Sequence, residues 1–219
     1  MIKRITPLLL FIVLGFSQSR DYTNFQVNVF NNPYPANIFI HTMGPQPRYM
    51  AVIDSVLIPS WFINCGPLGF DFKVNHNKLS YFNKIDPSWI ILNEYMIETD
   101  TLRCTGGYDA DYHDIQILND GGYLLQAYDS IFVDMSTIVV NGNPNAKIHL
   151  LIIQEFDLNH NLIFEWNAWD HLNIADYTNL DLTADNITWM HGNSIDVDLD
   201  ENILISNRRS SEIIKIDRN

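Results

Sequence analysis

Basic residues are scarce in this chain: 13 Lys and Arg stand against 26 Asp and Glu in 219 residues, a formal net charge of -13. With no Lys/Arg cluster to neutralise a phosphate backbone, nucleic acid is excluded as a partner. Cysteine is rarer still. Cys65 and Cys104 are the two present, which rules out a disulfide framework and a Cys-x-x-Cys redox pair and leaves a single bridge and two buried thiols equally open. Asn64 and Gly66 supply no base to make Cys65 a thiolate, and Arg103 beside Cys104 is a weak one. Helical periodicity is also missing. So are His-Glu-x-x-His, Gly-x-Ser-x-Gly and Gly-x4-Gly-Lys-[Ser/Thr], which disfavours a zincin, an α/β-hydrolase and a P-loop nucleotide site. The 7 histidines are scattered, none at metal-ligand spacing, so no metal or other cofactor is expected. Asp196-Val-Asp-Leu-Asp200 opens like a calcium loop, yet Glu201 stands where glycine is required and Asn207 at the twelfth place.

Long apolar runs are confined to the start. Met1-Ile-Lys-Arg4 leads into an apolar stretch from Ile5 to Phe16, then Ser17-Gln18-Ser19, the layout of a secretory signal peptide over 1–19. That stretch is shorter than the ~20 residues of a membrane span, and no later segment is longer. The mature protein, 20–219, is therefore expected to be soluble, in the periplasm or secreted, with no membrane span.

What the chain has in quantity is apolar residues, 47%, enough for a core. They alternate with polar ones in short runs, the pattern of half-buried antiparallel strands. Phe70–Val74 pairs with Leu79–Phe82, Ile115–Leu118 with Tyr123–Leu125, and Ile195–Leu199 with Ile203–Ile205, each across a tight polar turn. Asp120-Gly121 reads as a type I′ hairpin turn. A second set of hairpins lies in Ala51–Trp61, Trp89–Ile97 and Ile152–Trp166. The two sets alternate, giving a four-stranded repeat. Turns near Ala36, His76 and Asp120 fall at the ~40–45-residue pitch of a propeller blade. The next, near Glu201, comes late, and the excess sits in Ile131–Lys147 and Ala168–Trp189, read as insertions over one face. The expected fold is all-β, a β-propeller of four-stranded antiparallel blades spanning 20–219. About four blades are present, the last incomplete. Such a ring must close to hide its strand edges, so the chain reads as the front part of a longer protein.

In a propeller the first strand of each blade lines the channel, and His113 and His191 stand at the mouths of two such strands. Two imidazoles and a guanidinium meeting there form a cationic pocket suited to sulfate or phosphate, and an imidazole there can pass a proton to a leaving oxygen. Arg208 and Arg209 end the strand after His191's hairpin, where alternation sends one at most inward. Asn193 and Ser194 stand ready as hydrogen-bond donors. Trp166 and Trp169 suit the wall of an aryl pocket and, equally, outer-strand packing.

Asp111-Tyr-His-Asp114 with Asn119-Asp-Gly-Gly122, Trp169-Asp-His171, and His191-Gly-Asn-Ser194 leading to Ile205-Ser-Asn-Arg208 and Ile214-Lys-Ile-Asp217 resemble the bacterial arylsulfate sulfotransferase family, from about Phe70 onward. The resemblance implies an exported propeller enzyme. It would move a sulfuryl group from a small-molecule aryl sulfate donor to a phenolic acceptor through a sulfohistidine, with no nucleotide and no cofactor. By motif match His113, His191 and Arg208 are the catalytic residues that hold the sulfate, and Asn193, His171 and Arg209 are substrate-binding candidates. The family's nucleophilic histidine is expected beyond Asn219. A non-catalytic exported propeller that binds a ligand or protein partner is the competing reading.

Overall fold

The computed structural model describes residues 28–32, 34–44 and 47–218; the leader expected over 1–19 lies outside them. The described residues fold into fifteen strands and almost no helix, in four sheets that follow one another along the chain. The first holds β1 (Ile38–His41), β2 (Tyr49–Ile53) and β3 (Pro59–Asn64). The second holds β4 (Phe70–Asn75), β5 (Lys78–Asn83), β6 (Ser88–Leu92) and β7 (Glu98–Leu102). In the third, β8 (Ala110–Ile117), β9 (Tyr123–Val133), β10 (Ala146–Phe156) and β11 (Leu162–Asn167) form an antiparallel meander, and the short β12 (Asn186–Thr188) adds parallel to β10. The last holds β13 (Gly192–Val197), β14 (Ile203–Asn207) and β15 (Glu212–Ile216).

All-β architecture is as the sequence predicts, and the hairpins named from alternation form, although the partner of the strand at Trp89 lies just past the named segment, at Glu98–Leu102. The second sheet has the four strands expected of a blade, the third has four in its meander with β12 added, the last holds the three expected of an incomplete blade, and the first holds three among the described residues. The expected insertions also shrink. Val133 pairs with Ala146, so Ile131–Val133 and Ala146–Lys147 are strand, and the first excursion narrows to 134–145. The second contributes the four-residue helix α1 (Ala168–His171) and β12.

Turn chemistry corrects one expectation. Ile117 pairs with Tyr123, Leu118 N–H donates to Gly122 O (2.8 Å) and Gly121 N–H to Leu118 O (3.1 Å). In this loop Gly121 alone has a positive φ, +92°. That is a three-residue loop with a left-handed glycine, not type I′. The type I′ geometry occurs instead at His76 (φ 44°) and Asn77 (φ 62°), inside the two-residue loop between paired Asn75 and Lys78.

Burial follows the pleat. In β14, Ile203, Ile205 and Asn207 are buried while Leu204 and Ser206 are half-buried. In β10, Leu150, Leu151, Ile152 and Ile153 are all fully buried, because neighbouring structure covers both faces. Each such side chain contributes about 1.5–3 kcal/mol over leaving it in water. What matters for the site is that the opening strands of three successive sheets pack in series, β4 on β8 and β8 on β13.

Candidate functional site

Each of these three opening strands has an irregular register at its start: between Phe70 and Lys73, between Ala110 and Ile115, and between Gly192 and Ser194. A bulge re-aims side chains that regular alternation would fix, and polar groups gather there. On β8, Asp111 accepts from His113 N–H (2.9 Å) and sits 2.7 Å from His113 Nδ1. With Nδ1 held by a carboxylate, Nε2 is the nitrogen left to meet a ligand. Gln126, fully buried on β9, donates through Nε2 to Asp111 (3.0 Å) and to Gly192 O (3.3 Å), tying this corner to β13.

His191 immediately precedes β13. Its N–H donates to the Asn207 side chain (2.8 Å), and its carbonyl accepts from Arg208 N–H (2.9 Å). Asn207 is itself buried and donates to Ser210 Oγ (2.7 Å). The two imidazoles meet edge to face, with ring centroids 4.7 Å apart, although 78 residues separate them. Burial pushes the His191 pKa below the usual imidazole value. The neighbouring His113, Arg208 and Arg209 push it the same way, against the pull of Asp111. The pair is flanked by Tyr112, stacked on His113 at 4.3 Å, and by Tyr128, 6.3 Å from His191.

His113 and His191 are thus brought together, and Arg208 is joined to His191 through the backbone. Arg208 and Arg209 do not end a strand, as alternation had them: β14 stops at Asn207 and both lie in the turn to β15, so strand alternation no longer assigns them to opposite faces. Asn193 lies at the β13 irregularity, exposed like Ser194 beside it. His171 lies elsewhere, on α1, exposed and stacked on Trp166 at 5.8 Å. Trp166 is buried and Trp169 packs edge-on against fully buried Trp189, so these tryptophans are core. Both cysteines are free thiols, and burial pushes the pKa of Cys104 up to about 12, which leaves it unreactive.

Sequence reading missed Asp111, Gln126 and Asn207 as positioning groups. Their signals were present. Asp111 stands two residues before His113, the spacing of a side-chain turn, and Gln126 and Asn207 interrupt apolar strands where a buried polar group needs a partner. A cleft of about 580 Å³ lies away from the histidines, between the first two sheets, lined by Phe39, Trp61, Leu79, Met96 and neighbours.

A family model described as arylsulfotransferase (ASST) matches residues 94–219, more than half of the chain. A crystal structure of a protein of unknown function from Bacteroides caccae is similar over 77% of this chain and 69% of that one, at 11% identity and a TM-score of 0.28. No curated protein matches.

Proposed function

The chain belongs to the arylsulfotransferase family, and on that premise we propose that it takes part in moving a sulfuryl group from a phenolic sulfate ester to a phenol without a nucleotide donor. The observation that carries this reading is the His113–His191 pair, two imidazoles from β8 and from the entry to β13 at 4.7 Å. Arg208 is bonded to one of them through the backbone. In the proposed role Arg208 supplies fixed positive charge, and the two rings donate N–H groups to the sulfate oxygens as the S–O bond to the arene breaks. In the family a histidine accepts the sulfuryl group, forming an S–N bond that the acceptor phenol then displaces. None of the histidines described above is assigned that role. His191, held neutral near pH 7 by its lowered pKa, gains affinity for a proton once an anion binds and can pass it to the leaving phenolate.

The propeller is proposed on two supports: the sheets succeed one another in chain order, and β4, β8 and β13 pack side by side as channel-lining strands do. Export through the 1–19 leader, to the periplasm or the medium, is proposed from the sequence; cell fractionation checks it. Among the described residues no helix is long and apolar enough to cross a membrane.

The test is the product of the complete gene assayed with p-nitrophenyl sulfate and a phenol acceptor. Acceptor-dependent nitrophenol release is expected. His191→Ala should lower it by about 10²–10³-fold with the melting temperature unchanged. No release with several acceptors would replace the enzyme with a binding module.

A further inference from the structure

The histidine pair continues into a strip of rings and cations that the transfer chemistry does not use. Tyr112, 38% exposed, stacks on His113. It also meets Phe70 at 5.7 Å and Phe82 at 6.2 Å, both buried in the second sheet. Lys84, exposed in the turn between β5 and β6, places its ammonium 5.8 Å from the Tyr112 ring centre and 5.1 Å from that of Phe70. Arg48 approaches Phe70 from elsewhere, its guanidinium carbon 5.9 Å from the ring centre.

Carboxylates nearby are already engaged. Asp86 pairs with Arg103 through Nη1 at 2.6 Å, Asp111 holds His113, and Asp114 and Asp71 share Lys73. Among the described residues Lys84 forms no ion pair. In a chain with twice as many acids as bases, a lysine held over aromatic rings and left unmatched beside an anion site is a feature with a direction: it offers a second anion contact one ring away from the first.

We infer that Tyr112 and Lys84 form the subsite for the donor's arene, and that the donor class is an aryl sulfate whose ring carries a second anionic group, such as a carboxylate, opposite the sulfate. The inference rests on the sulfuryl-transfer reading and narrows its substrate. The sulfate sits against His113 and His191, the ring packs on the exposed part of Tyr112, and the second anion meets the Lys84 ammonium. Lys84 is a specificity-determining contact and touches no reacting atom.

Calorimetric titration at low ionic strength with phenyl sulfate and with 4-carboxyphenyl sulfate tests this. The unmodified protein should bind the carboxylate ester about fivefold more tightly, the size of a partly exposed charge pair. Lys84→Met keeps the aliphatic stem over the rings and should abolish the preference, weakening phenyl sulfate less than the carboxylate ester; Lys84→Arg should restore the preference. Binding of both esters with equal affinity, or a preference that survives Lys84→Met, overturns this inference and leaves the sulfate site standing. Absence of binding by either ester removes the sulfate site and this inference together.

Discussion

Two lysines in this molecule each bridge two aspartates, at opposite ends of the same bundle of strands, and their surroundings make them different objects. Lys73, on β4, joins Asp71 at 2.6 Å and Asp114 on β8, with its side chain 28% and that of Asp114 15% exposed. Asp114 also accepts the Ile195 N–H of β13 (2.9 Å), so one ion cluster fastens three sheets beside the histidine pair. Lys215 joins Asp198 at 2.5 Å and Asp200 at 2.7 Å, where the Asp200 side chain is 65% exposed. It stands at the far turns, beside a cleft of about 500 Å³ lined by His76, Asp120, Asp196, Asp198, Glu201 and Arg218. The opening strands thus run between a cationic, aromatic end and an acidic end. Equal geometry in an ion pair does not imply equal weight: with Lys215 46% exposed against 28% for Lys73, water screens the second bridge more than the first.

The comparison is broken most severely by removing each lysine. Lys73→Met leaves two partly buried carboxylates unpaired and should cost about 3 kcal/mol of stability, read as a shift in the denaturation midpoint. Lys215→Met should leave that midpoint where it was. The linkage has a definite sign. The aspartates raise the Lys73 pKa above its ordinary value, in spite of burial, so its contribution is complete below the unfolded lysine value of about 10.4. It is lost as pH rises through the higher folded value. An equal loss in both variants would erase the distinction between the two ends.

Gly192→Ala sharpens it at the histidine end. A Cβ there would lie 2.2 Å from Gln126 Oε1 and 3.2 Å from the Leu151 methyls, and Gln126 has no water to retreat into. A loss of about 1–3 kcal/mol is expected, with weakened binding of aryl sulfates because Gln126 also positions Asp111. The smallest effect is in pH. Protonation of His191 favours anion binding, and its free-state pKa is lowered. Affinity for phenyl sulfate should therefore keep rising as pH falls below about 6.5, the ordinary histidine value, and His191→Gln should flatten that rise. A profile unchanged in His191→Gln would remove this ring from the contact.

The sequence announced the strands because alternation is a local signal: Ile203, Ile205 and Asn207 point inward simply by parity. It also announced the histidine pair, since both rings stand at matched places in repeated hairpins. The strand count per sheet was not legible, because β12 joins β10 in parallel after a long excursion that no periodicity encodes. Nor were the arginines' positions, because the end of β14 is set by Asn207 turning its amide onto His191 and Ser210, a tertiary contact. Trp166 and Trp169 stayed open between two roles for a related reason. An aromatic pair beside a histidine looks the same in sequence whether it walls a pocket or fills a core.

The clamp around Asn207 also bears on how the molecule moves. With the N–H of His191 held by the Asn207 side chain and its carbonyl held by the Arg208 amide, histidine and arginine travel as a single jaw. Any shift of that jaw against β8 and β9 has to strain the bonds between them, where Asp114 accepts from Ile195 N–H and both Gln126 and Tyr128 donate to Gly192 O.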